Sequence, residues 1–174
     1  GNASYSAMAN TLRGVYDTDV LIAPAISFTG SVMAADYTKK MVGNMIMPNP
    51  LQAWRCEMTG AQLKAFVKAA VEGIEGGFTP YNRGALPVVS GISIDVRESG
   101  GAYTLVRVLK DGKEIRDEDT FRVVSLHLAS YMAPFLNDEA YAFEIEEARV
   151  KTAWTAYILD GGVIAEPEKY MSLH

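Results

Sequence analysis

An α+β fold with a mixed β-sheet and packed helices is the prediction for these 174 residues, and three observations carry it. Helical and strand-like patterns alternate through the first half, hairpin-linked strands follow, and an amphipathic stretch closes the chain. Apolar residues make up 49% and charged residues 21%, enough for one hydrophobic core and too apolar for a disordered chain. No repeat, linker or low-complexity stretch divides the sequence, so residues 1–174 are expected to form a single domain.

Ala3 to Arg13 is rich in Ala, Met and Leu, and reads as a helix stopped by Gly14. Asp19 to Ala23 is a short apolar run of buried-strand type. Ser31 offers an N-cap for a second helix through about Val42, and Leu51 to Met58 alternates as a strand. Thr59-Gly60-Ala61-Gln62 is a capping box, in which the Thr hydroxyl accepts one orphan N–H and the Gln amide reaches back to another. It opens the clearest helix, with Leu63, Phe66, Val67, Ala70 and Val71 at three-and-four spacing. Gly73, Gly76, Gly77 and Pro80 end that helix and lead into a loop bearing Phe78, Tyr81 and Arg83. Val88 to Val96 and Ala102 to Lys110 read as paired strands around Ser99-Gly100-Gly101, and Asp111-Gly112 supplies a second hairpin turn. Thr120 to Leu126 is another strand, and Glu146 to Leu159 a last amphipathic helix ended by Gly161-Gly162.

The formal net charge is −5, from 16 basic and 21 acidic side chains, and the basic residues are scattered. Nothing clusters to follow a polyphosphate backbone, so nucleic acid is not an expected partner. No apolar run approaches the ~20 residues that span a bilayer, and no leader pattern opens the sequence. A start at Gly1-Asn2 that runs straight into a helix suggests a fragment of a longer protein. The lone Cys56 excludes an internal disulfide and leaves the compartment open.

Reactive side chains are scarce. The histidines are His127 and the terminal His174, too few for a Cys/His zinc site or a two-metal phosphatase centre, so no metal ligand and no catalytic residue is expected here. A Ser-His-Asp arrangement through His127 is formally open, but a histidine at a strand end making one hydrogen bond is the simpler reading. Glu144, Glu146 and Glu147 read as a solvated helix start, and Trp54 and Trp154 as core.

Several stretches, in order, resemble the C-terminal domain of the 5′-nucleotidase and UDP-sugar hydrolase family. These are Gly1-Asn2 with Ala7-Met8, Asp19-Val20-Leu21-Ile22, and above all Glu57-Met58-Thr59-Gly60-Ala61-Gln62-Leu63-Lys64. Val89-Ser90-Gly91-Ile92, Lys110-Asp111-Gly112-Lys113 with Thr120-Phe121-Arg122-Val123, and Tyr157 to Ile164 complete the series. The resemblance implies a division of labour. An N-terminal metallophosphoesterase domain, absent from this chain, would hold two divalent metal ions. The present domain would grip a nucleoside or nucleotide-like molecule between aromatic rings, as base stacking allows. It also implies hydrolase work in nucleotide catabolism, a bacterial source and export to the cell surface, periplasm or medium.

The binding motifs are where the sequence departs from that family. The asparagine-glycine-glycine-x-arginine loop falls on Ala23-Pro24-Ala25-Ile26-Ser27-Phe28, the proline-phenylalanine-glycine motif on Pro48-Asn49-Pro50, and the glycine-glycine-aspartate-glycine-aromatic motif on Tyr131-Met132-Ala133-Pro134-Phe135. The candidate substrate contacts are therefore Phe135, Tyr131, Phe28, Asn49 and Arg83, with Arg55 a second possible cation. Phe78 and Tyr81 are candidates to dock on the missing domain. The expectation is a recognition domain that is inactive alone and whose ligand is not a standard nucleoside monophosphate. The alternatives are a degenerate docking or structural domain, and kinship with the thiosulfate-oxidising hydrolases that share the architecture.

Overall fold

The computed structural model describes residues 2–29, 38–46, 51–79 and 86–174, and within them an α+β architecture of two mixed sheets with packed helices. Helix α1 (Ala3–Val15) is capped by Asn2, whose side chain accepts the Tyr5 N–H at 3.2 Å. It does not stop at Gly14. Asp17, at φ +50°, takes the left-handed position, and the Thr18 N–H to Arg13 carbonyl and Asp17 N–H to Gly14 carbonyl bonds close a Schellman end.

The larger sheet has the strand order β3 (Val88–Ser90), β1 (Val20–Ala23), β7 (Thr120–Ser125), β2 (Gln52–Thr59) and β8 (Glu144–Arg149). Its one parallel pair among the described strands is β1 with β7, in register Ile22 with Ser125; the others run antiparallel. All four β1 residues and the last three of β7 are buried, as strands covered on both faces require. The smaller sheet has the order β6 (Lys113–Glu114), β5 (Ala102–Lys110), β4 (Ser93–Ser99) and β9 (Met171–Leu173). Its hairpins turn as read, with Gly100 and Gly101 between β4 and β5, and Asp111 (φ +50°) with Gly112 (φ +76°) between β5 and β6.

Helix α3 (Gly60–Glu72) opens on the predicted capping box, with both reciprocal bonds made (2.9 and 3.2 Å). Leu63, Phe66, Val67 and Val71 are buried as its spacing requires. Helix α2 (Lys39–Gly43) covers the end of the predicted second helix; its predicted N-cap, Ser31, lies outside the described residues.

Two expectations about these segments are corrected, and one further element is found. The run 88–96 is not one strand: Gly91, at φ +81°, breaks it, so Val88–Ser90 pairs with β1 while Ser93–Ser99 joins the smaller sheet. A Cβ at Gly91 would overlap the Asp19 carbonyl, which is why glycine sits at the crossing. The glutamates at 144, 146 and 147 do not start a helix. They lie on edge strand β8, whose charges suit an open sheet edge, and helix α5 begins only at Val150 (Val150–Leu159). Residues 129–136 form an unforeseen helix, α4 (Ala129–Leu136), with Pro134 inside it.

Candidate functional site

Because β1 and β7 are parallel, both chains leave the sheet at the same end. The Leu126 N–H bonds the Ile22 carbonyl at 2.9 Å, which sets the turn after β7 level with the turn after β1. Residues 24–28 and 127–135, far apart in the sequence, thus become neighbours. Crevices beyond the carboxyl ends of strands are favoured ligand sites in parallel sheets, because the loops there are free to vary while the strands hold them in place.

A shallow hollow opens at this end, about 380 Å³ counting the space open to solvent. Pro24 and Ile26 supply one wall, from the turn after β1. His127 and Tyr131 line it from the segment after β7, and Phe78 and Thr79 from the loop beyond α3, with Ala70 and Pro87 completing the lining. None of these lining side chains carries a formal charge at neutral pH. Helix α4 is held against the loop after α3 by close approach at Gly77, where a Cβ would come within 2.6 Å of Pro134 Cδ and 2.7 Å of the Tyr131 carbonyl. Pro134 lies inside this helix, where its ring removes one backbone donor.

Under the hollow lies an aromatic cluster centred on Phe66. Its ring centroid is 4.9 Å from Phe135, 5.3 Å from Phe78 and 6.3 Å from His127, and Phe135 in turn meets Tyr141 edge-on at 5.0 Å. Edge-to-face and tilted pairs of this kind add to the burial energy of each ring.

The structure separates the sequence-predicted site residues. Tyr131 is half-buried and lines the hollow. Phe135, only four residues further on, is 7% exposed, and its ring is taken up by Phe66, Phe78 and Tyr141, so it supports the wall from beneath. Phe28 is 1% exposed and packs on Tyr5 of α1 at 5.7 Å, while its backbone bridges Ile46. Asn49, Arg83 and Tyr81 lie outside the described residues. Phe78, expected to be exposed for docking, is 4% exposed and forms part of the wall. Arg55 does not line the hollow; its Nη1 donates to the Tyr16 carbonyl at 2.6 Å and to Glu146 at 3.2 Å. Trp154 is core, whereas Trp54 is half-buried beside a second shallow depression, with Gln52 and residues 127–130.

Sequence reasoning undervalues His127. It is 5% exposed, and burial lowers its pKa to about 3, so the imidazole is neutral at physiological pH. The predicted strand-end hydrogen bond exists, between Nδ1 and Ser125 Oγ at 3.0 Å. The signal for a larger role is its place two residues beyond a strand that ends against a parallel neighbour.

Among the described residues no group of three or more His, Cys, Asp and Glu side chains is placed to hold a metal ion, and no helix is long and apolar enough to cross a membrane. The described donor set does not fit a metal pair.

No protein-family model and no curated protein matches this sequence. Among solved structures the chain is similar to the NAD nucleotidase (NadN) of Haemophilus influenzae, with TM-score 0.72 and 14% identity over 100% of this chain and 33% of that one. It is also similar to a 5′-nucleotidase precursor from Thermus thermophilus (TM-score 0.70, 15% identity, 97% of this chain and 34% of that). A third is the sulfate thiohydrolase SoxB of the same organism (TM-score 0.66, 15% identity, 97% and 31%). The chain spans about a third of the length of the structures it matches. It therefore has the fold of a one-third portion of 5′-nucleotidase-type proteins, the family that its motifs resemble.

Proposed function

We propose that this chain is the substrate-recognition domain of a 5′-nucleotidase-type, metal-dependent phosphoester hydrolase. In this reading it supplies contacts to a nucleoside- or nucleotide-like small molecule, and a companion domain holding two divalent metal ions breaks the bond. The observation that carries it is the meeting of Pro24 and Ile26, after β1, with His127 and Tyr131, after β7, in one hollow at the carboxyl ends of those strands. The turns after them are the two segments on which the family's binding motifs fall, and their residues are rewritten without a charge. Tyr131 is the ring placed to meet a ligand, and Phe135 and Phe28 hold the surrounding wall and loop; Asn49 and Arg83 are further candidate contacts. Export from a bacterial cell belongs to the same proposal.

The test is calorimetry on the purified chain with nucleosides, nucleotides, sugar nucleotides and thiosulfate, the last because one similar structure is a sulfate thiohydrolase. Saturable binding that Tyr131→Ala abolishes supports the proposal. No hydrolysis is expected, with or without added divalent metal, and turnover by a preparation free of contaminating phosphatase contradicts it.

The burial of Phe28 and Phe135 favours a second reading, in which the rings that would grip a base have become core and the domain serves only as a docking or structural element. Silence across the whole ligand panel supports that alternative.

A further inference from the structure

The segment that follows α5 is fastened by hydrogen bonds more than by burial. A glycine turn ends α5: the Gly161 N–H bonds the Ile158 carbonyl at 3.1 Å and the Gly162 N–H the Tyr157 carbonyl at 2.9 Å, with Gly161 at φ +88°. The Tyr157 hydroxyl donates to the Val163 carbonyl at 2.8 Å, which keeps residue 163 with the helix end. Beyond it the chain crosses α1, where the buried side chains of Ser6, Asn10 and Thr11 receive it. The Ala165 N–H bonds Thr11 Oγ1 at 2.9 Å, and Asn10 Nδ2 donates to the Glu166 carbonyl at 2.8 Å. Ser6 Oγ donates to the Glu168 carbonyl and accepts the Glu168 N–H, both at 2.8 Å. The segment finishes as β9, parallel to β4. There the Ile94 N–H bonds the Tyr170 carbonyl, the His174 N–H the Val96 carbonyl, and the Glu98 N–H the His174 carbonyl, at 2.9, 2.9 and 2.8 Å.

Little apolar surface backs these bonds. Glu166, Pro167, Glu168 and Lys169 are exposed, Ile164 and Met171 are only partly buried, and Tyr170 is the one fully buried side chain of residues 164–174. Helix α3, by contrast, buries Leu63, Phe66, Val67 and Val71. A hydrogen bond that water can replace contributes a small net stabilisation, whereas elements with few buried apolar contacts open at the low end of a protein's stability range. Lifting the segment leaves Asn10 bonded to Ser90 Oγ and Thr11 to the Ala7 carbonyl, and offers the freed groups to water.

We propose that residues 164–174 are a releasable strap, pivoting at the Gly161-Gly162 turn, which opens as one unit while β1 to β8 stay paired. Closed, it ties α1, packed on β1 and β3 of the larger sheet, to β4 of the smaller one. Open, it bares the β4 backbone from Ile94 to Glu98 together with the polar row of α1, so one motion governs two surfaces.

The test is native-state hydrogen exchange on the ¹⁵N-labelled 174-residue chain. The amides of Ile94, Glu98, Ala165, Glu168 and His174 each bond across the strap, and the Leu126 amide, bonded to the Ile22 carbonyl, reports the larger sheet. After correction for intrinsic rates, the five are expected to share one opening equilibrium, at least ~10-fold more favourable than that of Leu126 and nearly insensitive to low urea. Thr59→Ala, which weakens the cap of α3, is expected to speed Leu126 by ~5-fold and leave the five unchanged, because α3 is intact when the strap is open. Ser6→Ala, which removes both Glu168 bonds, is expected to speed all five together by ~10-fold, Ile94 and Glu98 included. Five amides protected to the level of Leu126, with the same urea dependence, would overturn the proposal. So would five unrelated openings, or a Ser6→Ala effect confined to Glu168. The wild-type pattern decides even where a variant fails to fold.

Discussion

The parallel pair β1–β7 ends in two opposite ways. Where the strands begin, Asp19 accepts the Arg122 N–H at 2.8 Å and lies 3.3 Å from its guanidinium, and Asp17 reaches the same guanidinium at 3.4 Å, all at the surface. Burial alone would raise the Asp19 carboxyl, but the Arg122 N–H and guanidinium overcome it and hold the carboxyl low. Where the strands finish, the chain turns into Pro24, Ile26, His127 and Tyr131, and no described lining group is charged. The charged end is a set of exposed ion pairs that water and salt weaken, and such pairs contribute little each. The uncharged end rests on a buried aromatic cluster, where desolvated contacts are strong and selective. Charge therefore marks where the strands are tied, and the proposed ligand site lies at the end without it.

Substitutions at the two ends sharpen that contrast. The largest effect is expected from Phe66→Ala, which removes the ring shared by Phe78, Phe135 and His127, and should cost ~3–5 kcal/mol in urea unfolding. A loss under ~1 kcal/mol would mean the cluster does not carry the uncharged end. Next is Gly91→Ala at the charged end, where both the Asp19 carbonyl and a φ of +81° oppose a side chain; ~2–3 kcal/mol is expected, read as a lower melting temperature.

The acid limb of stability comes third. Burial holds the His127 pKa near 3 against an ordinary 6.5, so between those values the unfolded chain binds a proton that the folded chain refuses. Stability should therefore fall as pH drops below about 6.5, by up to ~1.4 kcal/mol per pH unit from this residue, and His127→Gln should flatten that slope. Thr59→Ala, which removes the cap of α3 beside the start of β7, should cost ~1 kcal/mol. Arg122→Ala should be the mildest, with whatever effect it has fading in high salt.

The elements that local chemistry specifies are legible in the sequence. Thr59 and Gln62 cap each other, Asp111-Gly112 turns a hairpin, and the apolar face of α3 is buried, because each depends on residues close together along the chain. The failures are where distant contacts decide. The strand-like pattern runs on through Ser90-Gly91-Ile92, and the positive φ of Gly91, packed against the Asp19 carbonyl, divides it between two sheets. Glu144–Arg149 has the composition of a solvated helix start, yet pairing with Trp54 and Arg55 makes it a strand. Pro134 conceals α4, since a proline argues against a helix in the sequence, yet it lies inside this one and packs closely on Gly77. The tail carries no strand pattern of its own, but Asn10 and Ser6 of α1 bond the carbonyls of Glu166 and Glu168 and guide β9 alongside β4. At the hollow, the motif positions mark the two segments that meet. Which rings face outward depends on α4, and the sequence pattern does not contain that helix.

The most direct measurement is the salt dependence of adenosine binding by calorimetry, on the wild-type chain and on Tyr131→Ala. A site at the uncharged end predicts saturable binding whose affinity is nearly constant as salt rises and which disappears in Tyr131→Ala. Affinity that collapses with added salt and survives loss of the tyrosine would put the ligand among the charged groups instead and contradict the account.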